Sequence, residues 1–195
     1  MRLAENLTDR FLKDGVISSE DVEIVRYGLE NIAGSLSGII VTLIVSACFG
    51  RIFNGLILWG LILLLRRNAG GYHADTRNKC LLISSGMILL AFICMILPGW
   101  SVLVYMTITI FFLGLIFLME PIGNPNKLLD ETEYRVYRKR TRIVLSSEGI
   151  LAVLSWACSW RILSAITASC FCVVGIALIV GKIKLGIYMK KQCRT

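Results

Sequence analysis

The sequence predicts an all-α, polytopic membrane protein, with six transmembrane helices in three hairpins and amphipathic helices at the N-terminus. Three observations predict it. Hydrophobic residues make up 56% of the 195 positions and charged residues only 17%, where an ordinary soluble domain carries about 25% charged residues. With a mean hydropathy of +0.73, the chain holds more apolar surface than a single soluble core can hide, and disorder is excluded on the same ground. The apolar residues gather in runs near bilayer length, and the basic residues fall between alternate runs.

The elements follow in order. Met1–Leu29 is charged throughout and lacks the apolar stretch of a cleavable signal peptide. Leu3, Leu7 and Phe11 instead share one helical face, and a second helix is predicted to start at Ser18, with Asp21 completing a weak capping box and Val22, Val25 and Leu29 continuing at helical spacing. Two amphipathic helices lying on the inner leaflet fit this pattern, as does a short soluble arm packed on the cytoplasmic loops. Four runs approach the roughly 30 Å of hydrocarbon: Ile32–Gly50, Leu81–Leu97, Val102–Met119 and Ile162–Val180. Ile143–Trp160 is a fifth, interrupted by Ser146, Ser147 and Glu148. Ile52–Leu65, the sixth, has 14 residues and covers about 21 Å at 1.5 Å per residue. Tight turns at Gly50–Arg51, Pro98–Ser101 and Trp160–Arg161 pair the spans. The expectation is one integral membrane domain over residues 1–195: a cytoplasmic-face segment 1–31, a membrane region 32–181 and a basic tail 182–195.

Charge sets the orientation. Of 21 Lys and Arg, all but Arg51 and Arg161 fall in the N-terminal segment, the 66–79 and 120–142 loops and the tail from Lys182. The positive-inside rule puts those segments and both termini on the cytoplasmic side of the membrane. Seven cysteines do not imply a disulfide framework here: Cys48, Cys94, Cys158, Cys170 and Cys172 lie in apolar runs, where Cys acts as a small hydrophobe.

The same census narrows the chemistry. Coupled transporters use intramembrane Asp, Glu or His, and only Glu148 comes near the membrane interior. One His cannot make the two-histidine motif of a membrane metalloprotease. No metal or cofactor is expected, and no nucleic-acid partner. Gly34-Ser35-Leu36-Ser37-Gly38 lacks the spacing of a nucleophile elbow and reads as a close-packing stripe. What remains is Arg66-Arg67-Asn68-Ala69-Gly70-Gly71-Tyr72-His73-Ala74-Asp75-Thr76-Arg77-Asn78-Lys79-Cys80, which holds the single His and a Cys seven positions later. A cysteine nucleophile needs a base and surroundings that favour thiolate. His73 can be the base, while Arg77, Lys79 and the positive end of a helix beginning near Cys80 can favour thiolate. Gly70-Gly71 gives the backbone room to turn and to meet a peptide. Read alone, these residues fit equally a solvated loop histidine, a Gly-Gly turn and a packing cysteine.

Arg-Arg-x-x-Gly-Gly-x-His followed by Cys, after a short second span, resembles the accessory gene regulator B (AgrB) family of bacterial membrane cysteine endopeptidases. The likeness runs over nearly the whole chain, including a loose match at Glu120–Pro125 that assigns no site residue. The resemblance implies that His73 and Cys80 are catalytic and that Arg66, Gly70 and Gly71 shape the substrate site. It further implies quorum-sensing peptide maturation in a homodimer surrounded by membrane lipids. The substrate would be an AgrD-like precursor: an amphipathic leader, a Cys-containing pheromone segment and an acidic C-terminal part. Cleavage would pass through an acyl-enzyme thioester that the precursor's own Cys resolves to a thiolactone autoinducing peptide. The Arg135–Arg142 cluster and the Lys182–Arg194 tail would then meet the acidic part. The alternative is a non-enzymatic membrane protein, a peptide exporter subunit or scaffold, indifferent to loss of His73 or Cys80.

Overall fold

The computed structural model describes residues 2–70, 77–96, 101–119, 121–122 and 130–192, with the side chains of 2–3, 31, 77–81, 96 and 191–192 left out. These residues form seven helices and no strand: α1 (Arg2–Lys13), α2 (Val22–Cys48), α3 (Ile52–Ala69), α4 (Arg77–Ile96), α5 (Val102–Leu118), α6 (Glu131–Ala157) and α7 (Arg161–Gln192). Three are long and apolar enough to cross a bilayer: Val22–Cys48, Ile52–Ala69 and Arg161–Lys190. Shorter apolar helices cover Leu82–Met95 and Val102–Leu118.

The chain divides into two compact units, Met1–Val41 and Thr42–Thr195. In the first, α1 turns Ala4 and Thr8 inward and half-buries Leu7 and Phe11, the helical stripe expected of an amphipathic segment. The Thr8 hydroxyl donates to the Ala4 carbonyl at 2.8 Å, so its buried oxygen is satisfied within the helix. Ser18 does not begin the second helix. Its hydroxyl donates to the Asp21 carboxylate at 2.7 Å in a turn, and α2 starts at Val22. From there α2 runs unbroken to Cys48, so the predicted amphipathic helix and first span are one element.

Similar extensions occur elsewhere. The short span is the N-terminal part of α3, which continues through Arg66 and Arg67 to Ala69. Its 18 residues cover about 27 Å, longer than the apolar run Ile52–Leu65, with Arg66 and Arg67 in the added turn. Of the 120–142 segment, residues 131–142 are helical as well. Asp130 caps α6 by accepting from the Glu133 N–H at 2.6 Å while the Glu133 carboxylate accepts from Asp130 N–H at 3.4 Å, a complete capping box. The tail from Lys182 continues α7 to Gln192.

Within the second unit α7 is the hub, packing against α3, α4, α5 and α6. Residues Ser164–Phe171 of α7 are buried on every side. A membrane bundle gains little hydrophobic energy from helix contact, so close approach and polar pairing must hold it together. Both are present. Thr141, Leu145, Glu148, Ala152 and Ser155 are the buried residues of α6, and their alternating four- and three-residue spacing makes a heptad seam. The Ser155 and Ser164 hydroxyls meet across the α6–α7 hairpin at 3.0 Å. Two turns further from the hairpin bend, Cys170 Sγ donates to Glu148 Oε2 at 3.7 Å. The 159-centred turn thus brings residues equidistant from it into register. Cys170 is therefore more than a small hydrophobe; the other four described cysteines are free and half-buried or exposed.

Close backbone approach falls at glycines other than the expected stripe. A Cβ on Gly34 would meet nothing within 4 Å, whereas one on Gly55 would lie 2.5 Å from Ser46 Cβ, and one on Gly175 would collide with the Phe112 ring. The outward faces are apolar, with Phe53 and Leu118 both 81% exposed, as a surface bathed in lipid requires.

Candidate functional site

The site is built where α3 ends. Arg66 and Arg67 occupy its last turn, Arg66 half-buried and Arg67 exposed. Asn68 Nδ2 donates back to the Leu64 carbonyl at 2.8 Å. Gly70 follows as the cap, its N–H donating to the Arg66 carbonyl at 3.0 Å, with φ 76° and ψ −148°. That region of backbone space is open almost only to glycine. Of the break expected around Gly70–Asp75, only Gly70 lies within the described residues, and there α3 ends for a local steric reason.

The chain resumes as α4 at Arg77, which places Cys80 in the first helical turn. Asn78 lies inside this helix rather than capping it. Gly71, His73 and Thr76 lie outside the described residues, as does the Cys80 side chain, so the His73–Cys80 separation is outside them too. What the structure does establish is that α3 ends at Ala69 and that the Cys80 backbone lies in α4.

A contact that no local pattern announced sits beside Gly70. The N–H of Ile122, in the α5–α6 connection, donates to the Ala69 carbonyl at 3.2 Å. Gly70 and Ile122 form an isolated parallel backbone bridge. A Cβ on Gly70 would collide with the Ile122 carbonyl oxygen. The close approach that Gly70 permits is thus made by the protein's own backbone. The available signals were Gly70-Gly71 and Pro121-Ile122, which are some fifty residues apart and carry no mark of pairing.

The exposed face of α6 presents the basic cluster. Arg135, Arg138, Lys139, Arg142, Ile143, Ser146, Ser147 and Ile150 line a shallow groove, basic at one end and apolar at the other. Arg142 stacks over the Phe117 ring at 5.0 Å and Arg138 over Tyr134 at 5.9 Å. Arg135 pairs with Glu131 at 3.4 Å on the surface. The Arg142–Phe117 contact puts the start of α6 beside the end of α5, the same end at which Ile122 meets α3. No group of three or more His, Cys, Asp or Glu that could hold a metal occurs among the described residues.

The sequence profile of the accessory gene regulator B family matches residues 4–185, nearly the whole chain. The chain belongs to the AgrB family. An AgrB-like protein of Clostridium perfringens (strain SM101 / Type A) is 24% identical, covering 90% of this chain and 86% of the relative. A second AgrB-like protein, from C. perfringens (strain 13 / Type A), is 28% identical over 69% of this chain and 64% of the relative. No solved structure matches. Membership in the AgrB family, with several long apolar helices, supports a membrane protein with a part in accessory gene regulator peptide processing.

Proposed function

We propose that this chain is a membrane-embedded cysteine endopeptidase that cleaves a small pheromone precursor at the C-terminal side of the pheromone segment. The observation that carries the reading is that α3 ends at Gly70, in a backbone conformation open almost only to glycine, while the Cys80 backbone belongs to α4. On one straight helix, residues seven apart stand about 10.5 Å apart along the axis, beyond hydrogen-bond reach. The reading therefore requires that His73 and Cys80 not lie on one straight helix.

In this mechanism His73 takes the Cys80 proton, and the N-terminal end of α4 favours the thiolate. The sulfur attacks the scissile carbonyl, the C–N bond breaks, and His73 returns the proton to the leaving amine. The acyl group is then held as a thioester on Cys80. A substrate cysteine deprotonated by His73 attacks that carbonyl, forming the thiolactone and releasing the Cys80 thiolate. Thioester exchange is nearly isoenergetic, so no ATP is required as long as water is held off. Arg66, Gly70 and Gly71 shape the approach to the scissile bond, and the basic face of α6 takes the acidic C-terminal part. The reading places six spans and both termini with the site on the cytoplasmic side of the cell membrane, in a homodimer.

The test is co-expression with candidate precursors encoded beside the gene, followed by mass spectrometry. Wild-type protein should yield the released C-terminal part and a product lighter than the linear pheromone by one water. Cys80→Ala should yield neither while still inserting. Cleavage by Cys80→Ala at the wild-type rate overturns the mechanism.

A further inference from the structure

One face of α6 changes character abruptly along its length. The groove on that face carries cations from Arg135 to Arg142 and then no charge from Ile143 to Ile150, and its lining contains no acidic side chain. These positions recur at three- and four-residue intervals, so both halves lie on a single stripe of the helix. Ile143 and Ile150 are 59% and 61% exposed, and the stripe is separate from the buried seam at Leu145, Glu148 and Ala152.

The cationic half suits an anion. Arg135 is paired with Glu131, which leaves Arg138, Lys139 and Arg142, spread over about 6 Å along the helix axis. The rings of Phe117 and Tyr134 attract the charges of Arg142 and Arg138. A ring offers no carboxylate-like acceptor, so those contacts leave the guanidinium N–H groups to a phosphate, which they can meet with two parallel bonds. The lower half suits a hydrocarbon chain. The Ser147 hydroxyl donates to the Val144 carbonyl at 2.8 Å, so it asks for no partner outside the helix. From Arg142 to Ile150 the stripe descends about 12 Å, against about 15 Å for half of the hydrocarbon core. Cationic at the top and apolar for nearly one leaflet below, the face matches a single class of ligand in both its halves.

We propose that this face of α6 holds an anionic glycerophospholipid, its phosphate on Arg138, Lys139 and Arg142 and an acyl chain along Ile143 and Ile150. Charge selects the class. The choline or ethanolamine of a zwitterionic lipid would bring another cation to a stripe that already holds several. An acidic peptide segment satisfies the upper half alone. The inference goes beyond the peptidase reading and does not need it. Where both hold, the headgroup and the acidic C-terminal part of the precursor share the same cations, and the lipid is the resident occupant that the precursor displaces.

The test uses full-length protein, delipidated in neutral detergent, and native mass spectrometry with phosphatidylglycerol and phosphatidylcholine of identical acyl chains. Wild type should retain phosphatidylglycerol with a preference of at least about tenfold. The double variant Arg138→Gln with Arg142→Gln should lose that preference. Lys182→Gln with Lys190→Gln removes the same charge from exposed positions of α7 and should keep it. Equal loss in the two double variants means general attraction to a basic surface and overturns the site. Ile143→Ala with Ile150→Ala should weaken retention, and unchanged retention overturns the seat of the acyl chain. Inorganic phosphate in large molar excess should leave the lipid bound; its displacement would assign the cations to a free anion instead. Thermal unfolding gives a second readout: phosphatidylglycerol should raise the midpoint of wild type and not that of the Arg138→Gln, Arg142→Gln protein, and an equal rise in both overturns the proposal. Cys80→Ala should retain the lipid as wild type does, so cleavage of precursor by that variant would fail the peptidase reading and leave the lipid result intact.

Discussion

The two ends of the Thr42–Thr195 unit are closed in different ways. At one end, Phe49–Arg51 and Cys158–Trp160 reverse the chain through bonds between near neighbours. Arg51 N–H donates to Ser46 at 2.8 Å and Trp160 N–H to Ser155 at 2.8 Å, with Gly50 and Ser159 at positive φ. At the other end, the helices are joined by longer polar connections, and the bond that ties two of them together, from Ile122 to Ala69, spans more than fifty residues. The first end is a stability device whose parts are local. The second gathers the candidate chemistry, with Cys80, the bridge and the basic start of α6 all contributed from separate stretches of chain. Mutations at the two ends should therefore separate, one set changing stability with activity per folded molecule intact, the other doing the reverse.

The largest expected effect is at the long-connection end. Cys80→Ala and His73→Ala should each abolish precursor cleavage, scored by mass spectrometry, with membrane insertion unchanged. Replacing Cys48, Cys94, Cys158 and Cys172 together by Ala should retain it. Next, Glu substitutions at Arg138, Lys139 and Arg142 should raise KM about tenfold or more with little change in kcat, and the defect should vary with ionic strength. A salt-independent loss would move the basic face into the stability class and break the comparison.

At the tight-turn end the readout is thermal unfolding in detergent. Gly55→Ala pushes a Cβ to 2.5 Å from Ser46 Cβ beside the α2–α3 turn, and overpacking of this kind costs about 1–3 kcal/mol. Between the two ends, Cys170→Ala strips the donor from Glu148 Oε2, and Glu148 Oε1 already has no hydrogen-bond partner among the described residues. An unmet buried acceptor costs about 1–3 kcal/mol, so Cys170→Ala should lower the midpoint and Cys170→Ser should recover most of the loss. The smallest effect belongs to Asp130→Ala, which removes the α6 cap for about 1 kcal/mol. If Asp130→Ala leaves the midpoint unchanged, the cap at this end is not a stability device, which would sharpen the division.

What was legible in the sequence follows the same line. The apolar helices, the tight turns at Gly50 and Trp160, the half-buried Leu7 and Phe11 of α1 and the end of α3 at Gly70 rest on residues within a few positions of one another. Apolar runs and helices end at different places where the charge is high. Arg66, Arg67, the Arg135–Arg142 cluster and Lys182 mark where a bilayer would end, but a charged side chain does not interrupt backbone hydrogen bonding, so α3, α6 and α7 pass through those positions. The capping box at Asp130 and Glu133 was a readable signal, hidden by treating 120–142 as loop. Glu148–Cys170 and Ser155–Ser164 could have been found by counting outward from the turn. The Ile122–Ala69 bond could not, because two distant backbones leave no pattern in side chains.

The burial of α7 on all sides from Ser164 to Phe171 also dictates an order of assembly. Helices α3, α4, α5 and α6 are synthesised before the element they all pack against, so until residues beyond Arg161 emerge the unit has no centre. A nascent chain at that stage holds Glu148 without the Cys170 thiol that donates to it, in a solvent unable to replace that partner. Ribosomes that stall or terminate between α6 and α7 should release products that membrane quality-control proteases recognise by that exposed polar seam, and completion of α7 is the event that withdraws the degradation signal.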